Sequence, residues 1–200
     1  EISACLVGSE MCIRDRVITP EHLVKIFLQL QEQGANNINL VTPTHFLPQI
    51  VIALQQAKNQ GLSIPIVYNT GSYESPDALR HLEGLVDIYL PDLKYFSPEL
   101  SAAYSHAPDY FEIACAAIAE MYRQVLDPVM DPDTGLMQRG MIVRHLLLPG
   151  QAKDSKKILR YLHETYGDHI YISIMNQYTP LPQVADIEAV SYTHLTLPTT

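Results

Sequence analysis

Apolar residues recur along the chain in two alternating patterns. Leu23, Ile26, Phe27 and Leu30 fall at helical spacing behind Thr19-Pro20-Glu21, where Thr can cap and Pro suits the first turn, and Gly34 stops the run. Ile38-Asn39-Leu40-Val41 is then short and β-prone. A second helix is predicted after Pro48, with Ile50, Ala53, Leu54 and Ala57 on one face and Gly61 as its stop. Residues 64–68 read as a strand, residues 76–82 as a short helix closed by Gly84, and residues 87–90 as another strand. Two helices are predicted from Pro98 and from Asp109, the second carrying Ile113, Ala114, Ala117, Ile118, Met121 and Val125. Residues 127–135, with two Asp-Pro pairs, read as a turn-rich excursion. A strand over 141–148, a helix over 155–166 with Ile158, Leu159 and Leu162 inward, and a strand over 170–175 complete the series.

Helix and strand therefore alternate, and the strands read as apolar runs. That pattern predicts an α/β fold with a parallel sheet covered by helices. Pattern alone leaves a doubly wound sheet and a TIM-type barrel both open. The two ends lack any such periodicity. Residues 11–16, Met-Cys-Ile-Arg-Asp-Arg, can be encoded by ATGTGTATAAGAGACAGG, and the reverse complement of that string encodes Val190-Ser191-Tyr192-Thr193-His194. The shared string matches the transposon end of sequencing-library adapters. Residues 1–16 and 190–200 are accordingly read as translated adapter, expected to be disordered, and residues 17–189 as the domain. Cys5 and Cys12 then carry no biological information.

Composition narrows the function classes. The 200 residues are 47% hydrophobic with a formal net charge of −9, and no Lys/Arg cluster offsets the acidity. Nucleic acid and anionic membrane are poor partners for such a surface. The mean hydropathy of +0.01 and the lack of an apolar run of roughly 18 residues argue against a membrane-spanning chain. Three cysteines exclude a disulfide scaffold and fit a reducing, cytoplasmic compartment.

In parallel α/β folds chemistry collects beyond the C-terminal ends of the strands. Here each predicted strand ends in a polar cluster: Thr42-Pro43-Thr44-His45, Asn69-Thr70-Gly71-Ser72-Tyr73, Asp92-Leu93-Lys94-Tyr95, Arg144-His145 and Asn176-Gln177-Tyr178. Asp92 and Lys94, two apart, should point to the same side and line one pocket; a plain solvated pair is the alternative. Arg144 and His145 are adjacent, so one of them should face the site. Arg144 in an apolar strand calls for a carboxylate or a bound anion. His22, His81, His106, His163 and His169 read as surface or packing residues, and Cys115, on an apolar helix face, as core. No CxxC, HExxH, Walker A or GxGxxG string occurs. The residues alone support an α/β pocket enzyme without naming its substrate.

Longer strings carry the reading further. Residues 36–50 (NNINLVTPTHFLPQI), 64–70 (IPIVYNT), 86–95 (VDIYLPDLKY), 104–111 (YSHAPDYF), 120–125 (EMYRQV), 142–150 (IVRHLLLPG) and 175–180 (MNQYTP) occur in this order. Together they resemble the radical SAM proteins similar to pyruvate formate-lyase activating enzyme, over essentially all of residues 17–180. The resemblance implies a partial TIM-type (β/α) barrel that binds a [4Fe–4S] cluster and S-adenosylmethionine, the cofactors doing the hard chemistry. It also implies an adenosyl radical that, in relatives, takes hydrogen from a glycine of a partner protein. By motif, Thr42, Thr44 and His45 stand where relatives contact the methionine amine. Asn69 and Thr70 stand at the next strand end, Asp92 and Lys94 match the Asp-Leu-Lys of the cofactor pocket, Arg144 (with His145) matches a strand-five Arg, and Gln177 and Tyr178 close the far side. Gly71-Ser72 departs from the Ser-Gly expected there. The family's Cys-x3-Cys-x2-Cys is missing, so the chain is expected to be a truncated, inactive fragment of an enzyme whose parent holds the cluster. Two other readings stay open: a SAM- or nucleotide-binding module without radical chemistry, and a TIM-type isomerase or lyase using Lys94, His145 and Asp92 as acids and bases.

Overall fold

A computed structural model describes residues 18–176. Helix α1 (Pro20–Glu32) starts where Thr19 accepts a hydrogen bond from the His22 N–H, as the sequence predicts. Strand β1 (Ile38–Val41) leads through a 3-10 turn (Pro43–Phe46) into α2 (Leu47–Asn59). Then follow β2 (Ile66–Thr70), α3 (Pro76–Arg80), β3 (Ile88–Pro91), α4 (Pro98–Ser105) and α5 (Tyr110–Val125). Strands β4 (Val129–Met130) and β5 (Met137–Leu146), helix α6 (Ala152–Tyr166), a 3-10 turn (Gly167–His169) and β6 (Tyr171–Met175) complete the order. No described helix is long and apolar enough to cross a membrane.

The strand order decides between the two architectures left open. β1 pairs β2, β2 pairs β3, β3 pairs β5 and β5 pairs β6, all parallel. A doubly wound sheet would reverse direction after its first strands; this one advances steadily. It is a partial TIM-type barrel, and its sheet is not closed.

Register assigns the two faces. Tyr68 lies beside Tyr89, and Tyr89 beside Met141. These three, with Leu93, Val143, Ala114, Ile118, Met121, Ile158 and Leu162, are fully buried in one core between sheet and helices. Complete burial of each large side chain here contributes on the order of 1.5–3 kcal/mol. The alternate residues face the concave side, which the described helices do not cover: Val41 is 54% exposed and Tyr171 48%. The expectation of a sheet covered by helices thus holds for one face.

The excursion over 127–135 proves to be a hairpin. Asp131 Oδ1 accepts hydrogen bonds from the N–H groups of Asp133 and Thr134 and from the Thr134 hydroxyl. This closes the turn and lets β4 pair antiparallel with the start of β5, so β5 begins at Met137 rather than at Met141. The hairpin folds tightly over Gly140, which has φ +135°; a Cβ there would meet Pro128 Cα at 2.9 Å.

Candidate functional site

The C-terminal ends of β2, β3 and β5 meet on the concave face. Asn69 on β2, Asp92 just beyond β3 and Arg144 on β5 are half-buried there. Arg144 Nε donates to Asp92 Oδ1 at 2.8 Å, its Nη2 lies 2.7 Å from the same oxygen, and Nη2 also donates to Asn69 Oδ1 at 2.6 Å. The carboxylate partner that an Arg in an apolar strand requires is therefore Asp92. The backbone follows the same seam, with Asp92 N–H donating to Thr70 O and Leu93 N–H to Arg144 O, each at 2.9 Å.

Asp92 and Lys94 line one cavity of about 230 Å³, as their two-residue spacing predicts, together with Tyr95, Leu146, Leu148 and Met175. Lys94 Nζ reaches back over the β2 end: a methyl on Gly71 would lie 3.6 Å from it. No carboxylate of the described residues forms an ion pair with Lys94. A second cavity of about 250 Å³ lies lower on the concave face, walled by Asn36, Asn39, Val67, Ile142 and others, with no ionisable side chain in its lining. Of these two cavities, the strand-end one carries the ionisable side chains.

The remaining candidates are distributed otherwise. Of the adjacent Arg144 and His145, Arg144 faces the site. His145 points to the helix side, 1% exposed, with Nδ1 2.7 Å from Leu93 O and Nε2 without a partner among the described residues. Asn69 and Thr70 likewise divide. Thr70 is buried on the helix side and donates its hydroxyl to Glu74, a buried carboxylate that also accepts from Tyr68 at 2.8 Å. Burial first, and the Glu74 charge second, push the Tyr68 hydroxyl far above the usual phenol range. Thr44 is half-buried in the 3-10 turn that follows β1. Thr42 and His45 are exposed beyond β1; Thr42 has φ +50° and donates its N–H to Asn69 O at 2.8 Å. Gln177 and Tyr178 lie outside the described residues. Ser72, where a Gly is expected, has φ +66° and is wholly buried, so the left-handed position does fall there.

Two contributors escape a reading of the sequence. Glu74 follows Thr70 by four residues in a loop, a spacing without a signature. Tyr110 opens a helix and looks like packing, yet its hydroxyl lies 2.9 Å from Asp92 O, 3.0 Å from Gly71 O and 3.1 Å from Lys94 N. The acid–base alternative also loses its constellation. His145 is on the opposite face from Lys94, and Asp92 is engaged by Arg144.

Among the described residues no three His, Cys, Asp or Glu side chains gather as metal ligands. Cys115 is half-buried in α5, and burial raises its thiol above the ordinary range. An iron–sulfur cluster, which needs three or four placed thiolates, does not fit these residues.

No family model matches the chain. An uncharacterized protein of Methanocaldococcus jannaschii is 26% identical over 164 residues, a match that takes in 80% of this chain and 43% of that protein. The chain thus spans less than half the length of this curated relative. Among solved structures, a domain of pyruvate-formate lyase-activating enzyme from Bacteroides vulgatus has TM-score 0.52 at 14% identity, covering 78% of this chain and 91% of that one. Native anSMEcpe with bound AdoMet has TM-score 0.55 at 13% identity, covering 88% and 48%. At these identities the likeness is one of fold. At that level it bears out the resemblance to pyruvate formate-lyase activating enzyme.

Proposed function

We propose that the strand-end cavity binds S-adenosylmethionine, and that the chain is the cofactor-binding portion of a radical SAM enzyme similar to pyruvate formate-lyase activating enzyme. The observation that carries this reading is the placing of Asp92 and Lys94 on one cavity wall, with Lys94 unneutralised by any described carboxylate. A zwitterionic methionine head has a carboxylate for the Lys94 ammonium. Arg144, paired with Asp92 and bonded to Asn69, fixes the Asp92 end of the cavity wall and leaves Lys94 as its unmatched cation. Leu146, Leu148 and Met175 offer an apolar wall to an adenosyl group. When bound, the cofactor supplies an activated adenosyl group. The chain's own residues bind it, orient it and exclude water from one side.

Thr42 and His45 remain candidates for the methionine amine, with Gln177 and Tyr178 on the far side. Thr44, in the turn after β1, stays a candidate beside Thr42 and His45, while Thr70 and His145 act on this reading from the helix side, as supports. The described residues account for holding the cofactor and not for cleaving it, and no cleavage step is assigned to them. Two finer parts of the reading, a partner-protein glycine as radical acceptor and a cytoplasmic location, draw support from the likeness to an activating-enzyme domain and from cysteine usage.

Calorimetric titration with S-adenosylmethionine tests the reading. Saturable binding is expected, weakened in Lys94→Ala by on the order of 10- to 100-fold, the worth of one charged hydrogen bond. Equal affinity of the two proteins returns Lys94 to the solvated-pair alternative. Binding that persists in a parent shown to carry no cluster favours the non-radical module.

A further inference from the structure

We infer that Tyr110 is the positioning residue of this cavity: through its hydroxyl it sets where Lys94 stands, and so how tightly the cofactor is held. The inference rests on the proposed S-adenosylmethionine site and names the group that builds it. Tyr110 is 3% exposed, at the start of α5. Its ring is stacked on Tyr73 at 6.2 Å between centroids and meets Tyr95 edge-on at 5.4 Å, so the hydroxyl has little freedom to wander. That one oxygen accepts the Lys94 N–H and shares its single proton between the carbonyls of Gly71 and Asp92. It therefore ties the loop after β2 to the loop after β3, at the two points between which the Lys94 side chain reaches. Burial pushes the hydroxyl well above the ordinary phenol range, so it keeps its proton at neutral pH.

The consequence is specific. Without the hydroxyl, the Lys94 N–H and two carbonyls lose a shared partner, and the Lys94 backbone is released while the ring remains in the core. An effect confined to fold stability would spread over the whole molecule. A positioning effect appears at Lys94 first, and in binding only as long as Lys94 is there to be positioned.

Two measurements test this. The first needs no ligand. In the intact chain the Lys94 amide should be protected from hydrogen exchange, and in Tyr110→Phe it should exchange at least about tenfold faster while β2 and α5 core amides are unchanged. A freely exchanging Lys94 amide in the unmutated chain, or an unaltered one in the variant, overturns the inference. Should Tyr110→Phe not fold, the protection measured in the unmutated chain still decides. The second is a double-mutant cycle on S-adenosylmethionine affinity. Tyr110→Phe should weaken binding roughly tenfold, and should add less than about twofold on a Lys94→Ala background. Full additivity overturns positioning through Lys94. Absence of any binding in the unmutated chain overturns the cofactor reading instead, leaving the exchange result to judge Tyr110. Tyr73→Phe, whose hydroxyl only reaches the exposed Asp109, should change neither readout.

Discussion

Replacing Arg144 with Met keeps an apolar stem in β5 and removes the guanidinium that spans three strands. Two limits bracket the cost. Exposed ion pairs contribute about 0–1 kcal/mol, and breaking a fully buried pair costs about 3–5 kcal/mol because a charge is left stranded. The Arg144 and Asp92 side chains are 25% and 20% exposed, nearer the buried limit. Both guanidinium contacts to Asp92 fall on one oxygen, and a third reaches Asn69. Arg144→Met should therefore destabilise the fold by about 2–3 kcal/mol. Urea unfolding followed by circular dichroism reads this as a lower midpoint with an unchanged slope. Asp92→Asn alone should also destabilise, and the double variant should recover a coupling of about 1–2 kcal/mol. Raising the salt to about 1 M should shrink that coupling only modestly, since screening acts mainly on exposed charges. A coupling below about 0.3 kcal/mol, or one abolished by salt, would show the pair to be solvated and the reasoning about the seam wrong.

Gly140→Ala should destabilise by about 3 kcal/mol, from a left-handed backbone and a collision with Pro128 together. The melting temperature should fall by roughly 10 °C, and an unchanged one would mean the hairpin leaves room for a methyl group between Gly140 and Pro128. Glu120, 7% exposed, is held below its ordinary 4.5, chiefly by hydrogen bonds from Arg123, with Gln124 assisting. Its folded value is depressed, so its contribution is present above 4.5 and is lost as pH falls through the lower folded value. Glu120→Gln should flatten the acid limb of a stability profile below about pH 4.5; a limb of unaltered steepness would remove Glu120 from the account.

Much of the fold is legible because local chemistry and packing agree. Thr19 and Ser97 cap the helices they precede, and Pro20, Pro76 and Pro98 occupy first turns. What stays illegible depends on partners far along the chain. The β4–β5 hairpin hides because β4 is two residues long and its turn is organised by one carboxylate. Strand order depends on register, which single segments do not carry. Parity could have gone further than it does in the reading. Asn69 and Thr70 are neighbours in an extended strand, so they cannot both face the cavity, and the same argument already separates Arg144 from His145. Which member turns inward is decided by what waits on the helix side: Glu74 draws Thr70, and the Leu93 carbonyl holds His145. Tyr110 is silent in the sequence because its work is done by one oxygen on three backbone atoms.

The strand order also bears on how the chain comes to its structure. β1, β2 and β3 are each separated from the next by a single helix and can dock in turn, as short loops closing cheaply. β5 is different, since α4, α5 and the hairpin intervene before it reaches β3. The bonds that fasten it span 52 residues to Asp92 and 75 to Asn69. During synthesis the first three strands can gather while β5 is still unmade, and the Asp92 carboxylate then waits on an open edge. The pocket is thus the last thing the molecule acquires. A chain halted before β5 can hold a folded half and still have no place for a ligand.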